Sequence, residues 1–183
     1  MRVISGSNRG MNLVAPEGMD TRPTTDRIKE TLFNMISFDI YDCMFLDLFS
    51  GSGQIGIEAL SRGAKEAVFV EKDKKAYECI EKNLEKARLV DKASVLKTDV
   101  SMALNRLMSH DAFDIIFMDP PYNKQIEKSV SEQLADSSII SEDTIIIVEA
   151  SLETEFDYIS SIGYTITKEK VYKTNKHIFL KKA

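Results

Sequence analysis

The sequence has little cysteine, little histidine and no long hydrophobic run, and each shortage excludes a class of protein. Its two cysteines, Cys43 and Cys79, provide neither a disulfide framework nor the spacing of a zinc site. Its two histidines, His110 and His177, stand beside no motif, so we expect surface or structural roles and no metal site. No apolar segment approaches the roughly 20 residues that span a bilayer, and residues 1–6 contain no signal peptide. We therefore expect a cytoplasmic protein with reduced thiols and no membrane partner.

The composition is that of a globular protein with an uneven charge distribution. Of its 183 residues, 43% are hydrophobic and 29% are charged, and the net charge is −5. Residues 127–157 contain nine acids and one lysine, whereas residues 164–183 contain six lysines and one glutamate. Residues 1–15 carry Arg2 and Arg9 and no acid. Such asymmetry occurs on nucleic-acid-binding faces and on ordinary solvated surfaces, so both interpretations stay open.

Short apolar runs alternate with amphipathic segments along the chain. The runs that predict strands are residues 45–49, 67–70, 94–96, 113–118 and 144–148. Apolar residues at helical spacing follow Thr25, Asp73, Ser101 and Tyr122, and precede Gly163. An alternation of this kind predicts a mostly parallel sheet that is covered by helices on both faces.

The two ends of the chain break this alternation. Residues 164–172 and 176–180 are β-like runs with no room for a helix between them, so the last strand should run antiparallel to its neighbour. Residues 2–14 predict a short β-hairpin that turns at two glycines. Because no long linker is present, we expect a single domain with an N-terminal arm at 1–22 and a catalytic core at 23–183.

A glycine-rich segment follows the first predicted strand. Gly51, Gly53 and Gly56 form the pattern G-x-G-x-x-G, and Glu71 lies 20 residues beyond the first of them. Glycines of this pattern let the backbone approach a nucleotide, and the acid at the end of the next strand accepts hydrogen bonds from ribose hydroxyls. The segment therefore indicates a cofactor with a ribose, and an NAD-dependent oxidoreductase is one candidate.

Three features favour S-adenosylmethionine over NAD. Asp47 lies inside the first strand, where a carboxylate opposes a pyrophosphate but attracts the amino group of a methionyl moiety. Asp99 follows the third strand, where it can meet the amine of adenine. The fourth strand ends in residues 118–122, Met-Asp-Pro-Pro-Tyr, which have no obvious place in hydride transfer. Acids at successive strand ends share the carboxyl edge of a parallel sheet and form one crevice.

The Met-Asp-Pro-Pro-Tyr segment has the groups needed to hold a planar amine. A nucleobase amine is a poor nucleophile because its lone pair is delocalised, and acceptors for both N–H groups would stabilise the charge that develops on attack. Asp119 offers one acceptor and the carbonyl of Pro120 the other, while Pro120 and Pro121 fix the backbone that carries them. The ring of Tyr122 offers a face for stacking on an extruded base, worth about 1–3 kcal/mol.

Several segments together resemble one family. Residues 22–36 read RPTTDRIKETLFNMI, residues 47–53 read DLFSGSG, residues 119–122 read DPPY, and residues 2–10 resemble the family's N-terminal arm. They are similar to the RsmD family of bacterial 16S ribosomal RNA guanine-N2 methyltransferases, and the likeness covers essentially the whole chain. The resemblance implies an α/β, single-domain, Rossmann-like class I methyltransferase. Its sheet would have seven mostly parallel strands with the last one antiparallel, beside an N-terminal β-hairpin arm.

The resemblance also implies roles for individual residues. The residues implied to bind S-adenosylmethionine are Thr24, Thr25, Asp47, Ser50, Gly51, Gly53, Glu71, Lys72, Asp99 and Val100. The residues implied to hold the guanine for catalysis are Asp119, Pro120, Pro121 and Tyr122. The candidates for RNA contact lie in the arm, at the start of the first helix and after Tyr122: Arg2, Arg9, Arg22, Arg27, Asn123 and Lys124. Because the chain is small and acidic, we expect weak binding to naked RNA. We expect a monomer that acts on 16S RNA in a small-subunit particle or assembly intermediate.

Other functions stay open on the sequence alone. A DNA or RNA adenine-N6 or cytosine-N4 methyltransferase would share the Asp-Pro-Pro-Tyr motif, although no target-recognition domain for DNA is visible. An NAD-dependent oxidoreductase would share the glycine-rich segment. A non-catalytic RNA assembly factor would share the basic ends, but it would not need the geometry of residues 119–122.

Overall fold

Strands and helices alternate along the chain, as the apolar patterns predict. The computed structural model describes residues 1–16, 25–122 and 124–183. The strands of the described residues are β1 (Met44–Leu48), β2 (Glu66–Val70), β3 (Ala93–Leu96), β4 (Ile115–Met118), β5 (Ile145–Ser151), β6 (Tyr164–Val171) and β7 (Asn175–Lys182). The α-helices are α1 (Asp26–Met35), α2 (Gln54–Ser61), α3 (Lys74–Ala87), α4 (Val100–Leu107) and α5 (Ile126–Ala135). Two short 3₁₀ helices lie at Val90–Lys92 and Ser160–Ile162.

All seven strands form one sheet in the order β3-β2-β1-β4-β5-β7-β6. The pairs among β1 to β5 are parallel, whereas β7 lies antiparallel between β5 and β6. The predicted sheet, with its last strand antiparallel, is therefore confirmed. The strand order reverses between β1 and β4, and in open α/β sheets a crevice for ligands opens at the carboxyl ends of the strands at that point.

Helices cover both faces of the sheet because successive side chains of each strand point to opposite sides. Phe45 of β1 belongs to the same buried cluster as Leu32 of α1 and Ile80 of α3. Leu46, the next residue of the same strand, packs with the opposite layer, which contains Leu104 of α4. A strand buried on both faces needs apolar residues at consecutive positions, and this requirement explains the short continuous runs in the sequence.

The N-terminal arm forms the predicted hairpin. Arg2 and Asn12 pair in antiparallel fashion, and the chain turns at Gly6 and Gly10, whose φ angles are +86° and +83°. A Cβ atom at Gly6 would lie 1.7 Å from the carbonyl oxygen of Ser61, so a side chain there would push the arm away from α2. The arm is thus packed onto the helix layer that contains α2.

The segment before Gly163 differs from its prediction. Phe156 and Ile159 have helical spacing, but the chain forms turns and the 3₁₀ helix Ser160–Ile162 there. The amide of Ile159 donates to the carbonyl of Phe156 at 3.0 Å, a contact of the i to i+3 type. One turn is enough to bury both side chains against the core, so no α-helix is needed. Gly163 ends the segment with φ +88°, as predicted for a C-cap.

The described residues contain no helix that is long and apolar enough to cross a membrane. Cys43 and Cys79 are both buried and are not bonded to each other. Burial, with a contribution from the nearby Asp114, raises the pKa of the Cys43 thiol to about 12. This thiol is therefore protonated at neutral pH.

Candidate active site

The chain leaves β1 through a turn that requires positive φ angles. Phe49, Gly51 and Gly53 have φ angles of +63°, +55° and +77°. Glycine adopts this region readily, whereas Phe49 is strained, and such strain is common at ligand sites. A Cβ atom at Gly56 would lie 2.3 Å from the ring of Phe69, so the third glycine allows α2 to pack closely on β2. The glycines thus place the start of α2 at the crevice.

Side chains from the ends of β1 and β2 tie this turn to the sheet. The hydroxyl of Ser50 accepts a hydrogen bond from the amide of Val70 at 3.0 Å. The carboxylate of Glu71 accepts from the amide of Gly51 at 2.8 Å and, through its other oxygen, from the amide of Asp73 at 2.8 Å. Each carboxylate oxygen has a second lone pair. Glu71 can therefore hold the turn and still accept a bond from a ligand.

Asp47 is a fully buried carboxylate at the base of the turn. One of its oxygens, Oδ2, accepts from the amide of Gly56 at 3.0 Å. The other, Oδ1, is buried without a hydrogen-bond partner among the described residues. Burial, with a smaller contribution from the charge of Glu71, raises the pKa of Asp47 to about 7, against the bond from Gly56. A buried carboxylate with a vacant oxygen suits a donor that carries positive charge.

Asp119 follows β4 and lies in the same crevice. Phe117 pairs with Asp47 across β4 and β1, so Asp119, two residues further on, points to the same face of the sheet as Asp47. Glu149 flanks it from β5, the parallel neighbour on the other side. Burial and then the negative charges of Glu149 and Asp47 raise the pKa of Asp119 well above its usual value. The crevice is therefore lined by mutually repelling carboxylates, which favours a cationic ligand.

A buried polar cluster lies beside Asp119, and none of its residues was among the predicted site residues. Glu149 accepts from the side-chain amide of Asn175 at 2.6 Å and from the hydroxyl of Tyr122 at 3.3 Å, both through Oε1. Its Oε2 atom lies 3.0 Å from Nε2 of His177. The hydroxyl of Tyr172 lies 3.3 Å from Nδ1 of the same imidazole. We call Glu149, Asn175, His177 and Tyr172 the Glu149 cluster.

Other residues of the predicted cofactor site serve as helix caps or lie exposed. Asp99 accepts from the amide of Met102 at 3.0 Å and so caps α4, which begins at the buried Val100. Thr25 caps α1 in the same way. Lys72 is exposed after β2. A ligand role for these four residues stays a prediction.

The predicted RNA-contacting residues lie on the surface where they are described. Arg9, Arg27 and Lys124 are exposed. Arg2 is exposed too, and its Nε atom lies 2.8 Å from the carboxylate of Asp26, which joins the arm to the start of α1. Three predicted site residues lie outside the described residues: Arg22, Thr24 and Asn123.

The sheet order, the glycine turn after β1 and the crevice lined by Asp47 and Asp119 define the class I methyltransferase fold. The fold is similar to the solved structure of yhhF from Escherichia coli, with a TM-score of 0.83, 31% identity, and coverage of 100% of this chain and 97% of that chain. The family described as Conserved hypothetical protein 95 matches residues 1–181.

Curated relatives identify this family. YlbH of Bacillus subtilis is 42% identical over 94% of each chain. The ribosomal RNA small subunit methyltransferase D of Escherichia coli is 33% identical over 93% of this chain and 84% of that protein. The chain therefore belongs to the RsmD family, and the resemblance drawn from its sequence motifs is confirmed.

Proposed function

We propose that this protein uses S-adenosylmethionine to methylate the N2 amine of a guanine in 16S ribosomal RNA within a small-subunit particle. The observation that carries the proposal is the position of Asp119, followed by two prolines, beside Asp47 and the glycine turn. The choice of ribosomal RNA is supported by the 33% identical relative named ribosomal RNA small subunit methyltransferase D. We propose that the chain acts as one domain, residues 1–183, and as a monomer.

The residues of the crevice fit S-adenosylmethionine. The vacant Oδ1 of Asp47 would accept a hydrogen bond from the amino group of the cofactor. Glu71, at the end of β2, would accept from ribose hydroxyls, and Gly51 and Gly53 would let the backbone come close. When bound, the cofactor supplies a methyl group on a positively charged sulfur. Its positive charges would offset the repulsion between the acids that line the crevice.

Residues 119–122, which we call the base clamp, would hold the target amine. The carboxylate of Asp119 and the carbonyl of Pro120 accept from its two N–H groups. As the nitrogen becomes positive, the carboxylate of Asp119 stabilises that charge. The raised pKa of Asp119 also suits it to take the proton that the nitrogen releases after attack. Tyr122 is 40% exposed, and its ring would offer a face to an extruded base.

The residues that we assign to RNA contact supply few positive charges. Arg2, Arg9, Arg27 and Lys124 are the exposed candidates among the described residues that we assigned to RNA. A contact set of this size supports only weak, salt-sensitive binding to naked RNA. We therefore propose that folded RNA and neighbouring proteins of the particle present the guanine.

Deletion of the gene is expected to remove one N2-methylguanosine from 16S RNA, as measured by mass spectrometry of its nucleosides. The purified protein and S-adenosylmethionine should restore it on small subunits from the deletion strain, and much more slowly on naked 16S RNA. Loss of a methylated adenosine or cytidine instead would show that the base is wrong. An unchanged set of methylated nucleosides would contradict the proposed function altogether.

Cofactor binding is expected to weaken as the pH falls below about 7, because an ammonium group needs the carboxylate form of Asp47. The dissociation constant should rise about tenfold for each pH unit below the pKa, and binding there should release protons. Isothermal titration calorimetry in buffers of different ionisation enthalpy measures both quantities. Asp47→Asn should bind weakly at every pH, and a flat wild-type profile would exclude this role of Asp47.

A further inference from the structure

Most side chains of the Glu149 cluster lie in the protein interior, more deeply buried than a role at the surface would require. Glu149 and Asn175 are each 5% exposed and His177 is fully buried. An ionised carboxylate in such a place is tolerated only when several donors satisfy it. The methyl-transfer scheme above gives the cluster no task, yet it lies directly beside the base clamp and contacts Tyr122.

The hydrogen bonds of the cluster converge on Glu149. The amide of Asn175 can only donate to a carboxylate, so its orientation is determined. Because a carboxylate can only accept, Nε2 of His177 donates to it, and Nδ1 lies 3.3 Å from the hydroxyl of Tyr172. The ring of Phe117 packs edge-on against the imidazole, with 6.1 Å between centroids. The carboxylate of Glu149 is therefore fixed in place before any substrate binds.

Tyr122 is the member of the base clamp whose side chain needs such a fixed partner. The two prolines restrict the backbone up to residue 121, but they leave the side-chain torsions of Tyr122 free. The residue is partly exposed, while its hydroxyl reaches Glu149. A stacking platform is effective only when the ring already has the required orientation.

We propose that Glu149, held by Asn175 and His177, is a positioning residue that orients the ring of Tyr122 for stacking on the target base. This inference rests on the proposed function, since it assigns the cluster to that same site. It predicts that Glu149 acts on the reaction through the Tyr122 hydroxyl. Two substitutions that break this one contact should then have the same effect, alone or together.

A double-mutant cycle tests this dependence. Tyr122→Phe and Glu149→Gln should each lower kcat/KM for the RNA substrate about tenfold, the loss expected for one hydrogen bond to a charged acceptor. The double variant should lose no more than either single variant. The dissociation constant of S-adenosylmethionine should stay that of the wild type in all three. Additive losses would overturn the proposal, as would a Tyr122→Phe variant with wild-type kcat/KM.

Tyr164→Phe is a matched control, because it removes another tyrosine hydroxyl from the described part of the sheet. That hydroxyl donates to the carbonyl of Ser131 at 3.1 Å in the other core layer. The variant should lose stability without a change in kcat/KM. Since Tyr122 is partly exposed, Tyr122→Phe should fold. Its kcat/KM therefore tests the proposal even if Glu149→Gln does not fold.

A spectroscopic measurement separates this inference from the proposed function. The six tyrosines can be labelled with 3-fluorotyrosine, and the ¹⁹F line that disappears in Tyr122→Phe belongs to residue 122. In Glu149→Gln that line should shift and narrow as the ring gains mobility, while the line of Tyr164 stays in place. A shifted line in a protein that methylates no RNA would contradict only the proposed function. An unshifted line in a folded variant would overturn the positioning role.

Discussion

Replacing Asp119 with alanine is expected to lower the rate of methyl transfer about 10²–10³-fold, the loss typical of removing one group aimed at developing charge. The dissociation constant of S-adenosylmethionine should change little, because Asp47, Glu71 and the glycine turn would hold the cofactor. The reason for the loss is local. Without the carboxylate, the target nitrogen loses an acceptor for one hydrogen and the nearest negative charge when it becomes positive. Single-turnover kinetics and calorimetric titration measure the two quantities separately.

The same substitution is expected to leave the protein as stable as before, or more stable. The pKa of Asp119 is raised in the folded protein, so the folded state holds its proton to higher pH than the unfolded chain does. Stability from this group therefore falls as the pH rises above its unfolded pKa. At neutral pH, burial and the charge of Glu149 oppose the ionisation of Asp119, and the alanine substitution removes this cost. We therefore expect Asp119 to lower the stability of the protein while it serves the reaction. Thermal unfolding of the wild type and of Asp119→Ala measures this difference.

Asp114→Ala is the control for this experiment. Asp114 is exposed just before β4, at the opposite end of the strand, where it accepts from the amide of Met44 at 2.7 Å. Its loss should not change the rate of methyl transfer. If Asp119→Ala instead abolished cofactor binding while the bound complex kept its turnover, Asp119 would belong to the cofactor site.

The architecture could be predicted from the sequence because its signals are local. A strand buried on both faces needs a short apolar run, as at residues 45–49, and a helix start needs a cap such as Asp73. Asp73 accepts from the amide of Ala76 at 2.9 Å, as its position suggested. Acids at the strand ends indicated the crevice, since parallel strands share one carboxyl edge. The helix predicted before Gly163 was wrong, because the spacing of apolar residues alone does not distinguish one turn from a helix.

The Glu149 cluster could not be predicted because its contacts are distant in the sequence. Glu149 and His177 are 28 residues apart and meet only through the antiparallel pairing of β5 and β7. Glu149 does end an apolar run, as Asp119 does, and that weak signal was available. Nothing near His177 or Asn175 in the sequence distinguishes them from surface residues of a terminal strand. Their role emerges only when the register of the sheet is known.

The contact between the N-terminal arm and α2 is another long-range feature. Glu58 of α2 is fully buried and accepts from the amides of Ile4 and Ser5 at 2.8 and 3.0 Å. It also pairs with Arg62 at 2.8 Å and lies 3.5 Å from the ammonium of Lys29. Lys29 of α1 is buried as well and donates to the carbonyl of Arg2. One carboxylate therefore joins α1, α2 and the arm that carries the proposed RNA contacts.

Glu58→Ala is expected to lower the free energy of unfolding by about 3–5 kcal/mol, the usual penalty for leaving a buried charge without its partner. Burial lowers the pKa of Lys29, and Glu58 opposes that shift. Without Glu58 the pKa should fall further, so the folded state would bind fewer protons than the unfolded chain. By linkage, the variant should regain stability as the pH rises from neutral towards 10.5, the ordinary pKa of a lysine in the unfolded chain. Urea denaturation across this range measures both effects.

Two further variants separate the buried charge from a general effect of the substitution. Glu85 is exposed on α3, and Glu85→Ala should change the free energy of unfolding by no more than about 0.5 kcal/mol. The double variant Lys29→Met, Glu58→Ala removes both charges and should be more stable than Glu58→Ala alone. If instead the double variant were the less stable of the two, the penalty would come from the lost arm contacts to Ile4 and Ser5. In that case the arm, and not the Lys29 ammonium, would be the reason that this part of the chain requires an acid at position 58.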